Sequence, residues 1–166
     1  GALEPDSVLT AGEWPRLFGF LFLHYGAAHL TFNSLGLIVL GPFAERALGL
    51  ARFLTIYFAS GVAGGLAMLA RYAWIDGEID IMVGASGCIM GLVGASTAIF
   101  LRGYLRERAA LAKRRLGLFL LVIVLQTIAD FQIPQVSFMG HAMGALTGFL
   151  LALLLKDRLE ATSSSP

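Results

Sequence analysis

The feature that most constrains this chain is a set of long uncharged stretches separated by short polar connections. No charged residue occurs from Leu17 to Ala44, from Phe53 to Ala70, or from Ile81 to Leu101. Two more such runs follow, Leu116 to Ala129 and Phe138 to Leu155. About 20 apolar residues in a helix cross a bilayer, so runs of this length read as transmembrane helices. Composition agrees: 57% of the 166 residues are hydrophobic and 14% charged, against roughly 25% charged in soluble domains. A chain this short has too little interior to bury that much apolar sequence. The fold class expected is all-α, a polytopic transmembrane bundle of five spans forming one domain over residues 1–160.

The connections carry the remaining information. Residues 1–15, with Pro5 and Pro15, read as a loop. Glu45, Arg46 and Arg52 make a polar connection, and Asp76 to Asp80 an acidic loop. The fourth run has only 14 residues. It reaches a span's length by continuing past Asp130 to Ile133, where Pro134 stops it, and its shortness marks it as the mobile helix of the bundle. Residues 161–166 read as a disordered tail by composition. If the 102–115 connection is cytoplasmic, ten of the twelve Lys and Arg lie inside, leaving only Arg16 and Arg71 outside. The acidic loops and Asp130 then face outward. The basic residues alternate with spans rather than forming a stripe, so nucleic acid is not a partner. A lone cysteine, Cys88, excludes an intrachain disulfide and reads as a small buried apolar residue.

Depth then singles out three sites. Ser86 is 15 residues from Leu101, His141 is 14 from Leu155, and His29 is 12 from Gly41. At ~1.5 Å per residue each stands roughly 18–23 Å above the inner boundary. In a hydrocarbon core of about 30 Å, all three lie about 7–12 Å below the outer surface. A histidine in lipid normally faces a partner or a water-filled cavity. Neutral imidazole can take the proton of a serine hydroxyl, which makes Ser86 and His141 a candidate nucleophile and base. No carboxylate lies within a helical turn of His141, and Asp130 belongs near the outer surface, so the reading is a dyad and not a triad.

An acyl-transfer oxyanion needs fixed donors. His29 and Asn33 are four apart and share a helical face. The Ser86 N–H at a helix start is a third donor. Gly84 and Gly87 leave the backbone near the hydroxyl approachable. The same residues also admit a bland reading: small residues pack helices together, and buried His and Asn tie helices by hydrogen bonds. Gly87, Gly91 and Gly94 line one side of the third span, while Gly140, Gly144 and Gly148 recur every four residues from beside His141. Such ridges let two backbones approach, which a serine and a histidine on separate helices require. No metal or cofactor is called for by this chemistry. A different class, a haem-binding or transport bundle using His24, His29 and His141, leaves Gly84-Ala85-Ser86-Gly87 and Asn33 without a role.

These residues resemble the rhomboid family of intramembrane serine proteases. The matching stretches are His24-Tyr25-Gly26-Ala27-Ala28-His29-Leu30-Thr31-Phe32-Asn33, Gly84-Ala85-Ser86-Gly87, and Gly140-His141-Ala142-Met143-Gly144 followed by Gly148. They occur in the family's order over about two thirds of the chain. The resemblance implies that Ser86 is the nucleophile and His141 its base, with His29, Asn33 and the Ser86 backbone as the oxyanion hole. It also implies that transmembrane segments of other proteins are the substrates, cut near the non-cytoplasmic face. Glu13-Trp14-Pro15-Arg16 resembles the Trp-Arg motif of the family's first external loop, with Pro15 interrupting it; Glu45 and Gly49 match the polar end of the next helix. Many members carry Tyr where this chain has Met90. The family core has six helices, so one more is expected ahead of Gly1, and residues 1–15 read as the end of the external loop that follows it. An inactive relative that binds membrane helices is the alternative within the family.

Overall fold

The computed structural model describes residues 1–76, 81–107, 110–132 and 137–155. The described residues are helical, apart from connections and a single extended pairing of Leu3 with Met82. Two short helices, α1 (Pro5–Leu9) and α2 (Arg16–Gly19), precede five long ones. These are α3 (Ala27–Leu48), α4 (Leu50–Arg71), α5 (Ser86–Glu107), α6 (Ala110–Gln132) and α7 (Phe138–Leu154). Three have the length and apolarity to cross a membrane, within Ala27–Leu48, Leu50–Ile75 and Ser86–Arg106; Phe138–Leu154 is a shorter apolar helix. The all-helical membrane architecture expected from the uncharged runs is therefore the one observed.

Several boundaries differ from the expectation, each for a physical reason. The Leu17–Ala44 run is not one helix. It begins as α2 and a 3-10 turn, Phe20–Phe22, and α3 starts only after Gly26. At its other end α3 continues through Glu45 and Arg46, and the chain turns at Gly49, whose φ of 83° favours glycine. Charges mark where lipid ends, not where hydrogen bonding ends. For the same reason α6 runs back through Lys113, Arg114 and Arg115 to 23 residues, so it is not the short helix expected. Residues 1–15 are not merely a loop either. Leu3 and Val8 are fully buried in a cluster with Phe20, Leu21, Met68, Met82 and Cys88. The expected acidic loop over residues 77–80, the basic residues Arg108, Lys156 and Arg158, and the tail lie outside the described residues.

Helix α5 is the hub. Of its apolar stretch 72% is buried, against 17% for α3, and its most extensive contact is with α7. The reason is the glycines. A β-carbon at Gly144 would overlap the backbone oxygen of Gly87, and one at Gly148 the backbone oxygen of Gly91. Helix α4 completes this layer, where a β-carbon at Gly64 would stand 2.7 Å from the Gly140 oxygen. Below the seam, Leu48, Ile56, Leu92, Ile99 and Ala152 form a second buried cluster.

Candidate active site

Successive long helices reverse direction, so α3, α5 and α7 begin at the face where α4 and α6 end. Ser86 is the first residue of α5, and His29 and His141 lie in the first turn of α3 and α7. Their matched depth follows from this alternation.

The segment leading to Ser86 is fixed by backbone bonds. Leu3 N–H donates to the Met82 oxygen and Met82 N–H to the Leu3 oxygen, both at 2.9 Å. Gly84 N–H donates to the Phe20 oxygen at 2.9 Å. On α7, Ser137 caps the helix by accepting from Gly140 N–H at 3.1 Å, one residue before His141. Two anchored segments and a glycine seam thus bring Ser86 Oγ to 2.7 Å from His141 Nε2. His141 is 5% exposed.

His29 and Asn33 come to the other side of Ser86's approach segment. Gly84 has a φ of 121°, in the region where a side chain is strained. A β-carbon there would stand 2.8 Å from His29 Nε2 and 3.4 Å from Asn33 Nδ2, so only glycine leaves both groups their place. The Tyr25 N–H lies 3.4 Å from His29 Nδ1, which makes Nδ1 an acceptor and leaves Nε2 to donate. Asn33 Nδ2 is buried with no hydrogen-bond partner among the described residues. A buried donor held without a partner carries a cost of about 1–3 kcal/mol. Ser86, His141, His29 and Asn33 all border one cavity of about 1110 Å³, which is also lined by Met90. Gly87 and Gly144 stand behind it in the seam.

One reading is overturned. Asp130 is not set apart at the outer surface: it is 7% exposed, with its carboxylate oxygens 2.9 and 3.0 Å from His141 Nδ1. It is not within a helical turn of His141 along the chain because it arrives from α6, whose end meets the start of α7. Gln126, four residues earlier on the same face of α6, donates to Asp130 Oδ1 at 2.7 Å. The available signal was Asp130 itself, an ionisable residue in an otherwise apolar span.

Apolar helices of membrane-spanning length packed into a bundle define a class, helical integral membrane proteins. The particular family follows from comparison. The Rhomboid domain model matches residues 11–158, and this chain belongs to the rhomboid family. It is 32% identical to YdcA of Bacillus subtilis over 90% of its own length and 71% of that protein's. It is 34% identical to the rhomboid protease GluP of Bacillus subtilis, covering 93% of this chain but 28% of GluP. The rhomboid protease AarA of Providencia stuartii is 30% identical over 86% of this chain and 56% of AarA. The chain therefore spans only part of the length of these relatives.

Proposed function

We propose that this chain carries the active site of an intramembrane serine peptidase that cleaves transmembrane segments of other proteins near the non-cytoplasmic face. The observation that carries the reading is the 2.7 Å approach of Ser86 Oγ to His141 Nε2 on the wall of a cavity that also holds the Asn33 donor, which has no partner among the described residues. In this mechanism His141 Nε2 takes the Ser86 proton as Oγ adds to the scissile carbonyl. The tetrahedral oxyanion is received by Asn33 Nδ2, His29 Nε2 and the Ser86 N–H. The imidazolium returns its proton to the leaving amine, and water repeats the sequence on the acyl-enzyme. The apolar walls of the cavity, among them Phe32, Ile89 and Val122, suit an unwound membrane segment better than a polar peptide. GluP and AarA, named as rhomboid proteases, support the same reading.

The distribution of charge supports this side of cleavage. Arg106 and Lys113–Arg115 lie where α5 passes into α6, the end opposite Ser86, and basic ends stay cytoplasmic. The deciding experiment is labelling by a fluorophosphonate with peptide mapping, alongside cleavage of a model transmembrane substrate. Label is expected on Ser86, and Ser86→Ala and His141→Ala are each expected to abolish cleavage. Undiminished cleavage by Ser86→Ala would end the proposal. Orientation is checked separately in intact cells with an impermeant maleimide. Thr10→Cys is expected to react and Ala110→Cys not to, against a background in which Cys88 is buried. The reverse pattern would place cleavage on the cytoplasmic side.

A further inference from the structure

We propose that Arg71 is a specificity-determining residue, one that selects membrane segments carrying a carboxylate a few residues to the outer side of the scissile bond. The inference rests on the hydrolytic reading above and names a feature of its substrates.

The cavity that holds Ser86 and His141 has mostly apolar walls, with Phe32, Ile89, Val93 and Val122 among them. Among the described residues that line it, Arg71 alone carries a fixed charge. It is the last residue of α4 and is half-buried. Met68, three residues earlier on the same face, borders the same cavity, so the final turn of α4 is part of the wall. Arg16, the other arginine at this end of the bundle, is engaged elsewhere, by Glu13 and by the Ala2 oxygen at 2.8 Å.

Height relates Arg71 to the reacting bond. Gly64 is level with Gly140, since a β-carbon at Gly64 would stand 2.7 Å from the Gly140 oxygen, and Gly140 adjoins His141. From Gly64 to Arg71 the rise along α4 is about 10 Å, at ~1.5 Å per residue. An extended segment rises about 3.3 Å per residue, so the substrate side chain level with Arg71 lies about three residues from the bond being cut.

Chemistry names that side chain. The guanidinium presents five N–H donors in a fork that matches a carboxylate, so it can take a substrate carboxylate alongside an acceptor it holds within the protein. Apolar walls strengthen the attraction over its value in water. The same charge repels a substrate Lys or Arg at that height, which gives discrimination in both directions. The competing role is local: a cation in the last turn of α4 offsets the negative end of the helix dipole, and that role is indifferent to substrate.

The test uses the full chain in neutral detergent and one model transmembrane substrate in three forms, with Asp, Asn or Lys about three residues outward of the cut. In the wild type we expect the Asp form to exceed the Asn form in kcat/KM by roughly 3- to 30-fold, intermediate between an exposed ion pair and a buried hydrogen bond to a charged group. The Lys form is expected to fall below the Asn form. Arg71→Gln is expected to remove the difference between Asp and Asn, and Arg71→Glu to make Lys the preferred form. Fluorophosphonate labelling at Ser86 counts folded sites in each preparation, and its amplitude is expected to stay near wild type. Should Arg71→Glu fail to fold, Arg71→Gln carries the comparison; should both fail, the wild-type ratios decide. Equal rates on the Asp and Asn forms in the wild type would overturn the proposal. A preference that survives Arg71→Gln would also overturn it and leave Arg71 the dipole role. If the wild type neither labels at Ser86 nor cuts any form, the hydrolytic reading fails. Binding of the three peptides, read by fluorescence anisotropy, then judges Arg71: the order Asp, Asn, Lys supports it, and equal binding overturns it.

Discussion

The two helices that flank α5 at the site are held to it by opposite means. Helix α7 meets α5 backbone to backbone, with Gly144 against Gly87 and Gly148 against Gly91. Helix α6 leans on α5 through side chains, such as Phe119 stacked on Phe100 at 5.5 Å, with Arg115 over the same ring. Near the cavity it reaches α7 through Asp130, to which Gln126 donates. Leu118, Leu120, Leu121, Val124 and Leu125 on α6 are exposed, a face suited to lipid. A glycine seam has one possible spacing, because any outward shift forfeits dense packing and any side chain blocks it. A side-chain contact has several. Ser86 and His141 therefore sit on the pair of helices that cannot drift, while Asp130, against His141 Nδ1, sits on the helix with more freedom.

The largest effect expected from breaking this arrangement is at the seam. Gly148→Leu must displace the Gly91 backbone, so it separates α5 from α7 and with them Ser86 from His141. Overpacking of this kind costs about 1–3 kcal/mol or more. We expect loss of the folded protein, or a folded protein without labelling at Ser86. The checks are the thermal unfolding midpoint and the labelling amplitude. A variant with near wild-type values in both would mean that the seam does not set the spacing.

Next in size is the donor side of the cavity. Asn33→Ala removes a donor, Nδ2, that has no hydrogen-bond partner among the described residues, so stability should hold or rise slightly. If its donor is engaged only when an oxyanion forms, kcat should fall roughly 10- to 1,000-fold with little change in KM. Steady-state kinetics on a model transmembrane substrate measures this. A rise in KM alone would assign Asn33 to substrate positioning.

These two regions were not equally legible in the sequence. Glycines repeating every four residues beside His141 state the seam directly, since spacing along one helix is enough to define its face. The shared depth of His29, Ser86 and His141 was also legible, because distance along a helix converts to height in a bilayer. Asp130 was not, because its partner lies across the reversal between α6 and α7, and neither distance along one helix nor an approximate height says which side chains meet there. The folded character of residues 1–15 was hidden for another reason. Leu3 and Val8 pack against Phe20 and Met68, residues distant along the chain, and nothing in a stretch rich in Pro and acidic residues signals a distant apolar partner. Helix ends were misjudged at Glu45 and Arg46, where α3 leaves the apolar layer without ending.

The smallest expected effect compares one substitution in two settings. Leu92, on α5, is fully buried, whereas Leu121, on α6, is half exposed. In water both leucines would gain from leaving solvent, but lipid tails are as apolar as leucine, so burial itself contributes little here. What remains is packing. Leu92→Ala opens a void that neighbouring side chains cannot collapse to fill, at a cost of about 2–5 kcal/mol. Leu121→Ala opens a notch that lipid can enter, and its cost should stay within about 0.5 kcal/mol, the range of substitutions away from packed features. Thermal unfolding of the two variants in the same bilayer mimetic makes the comparison. A large loss at Leu121 would show that this face of α6 packs against protein rather than lipid, and α6 would then be held as firmly as α7.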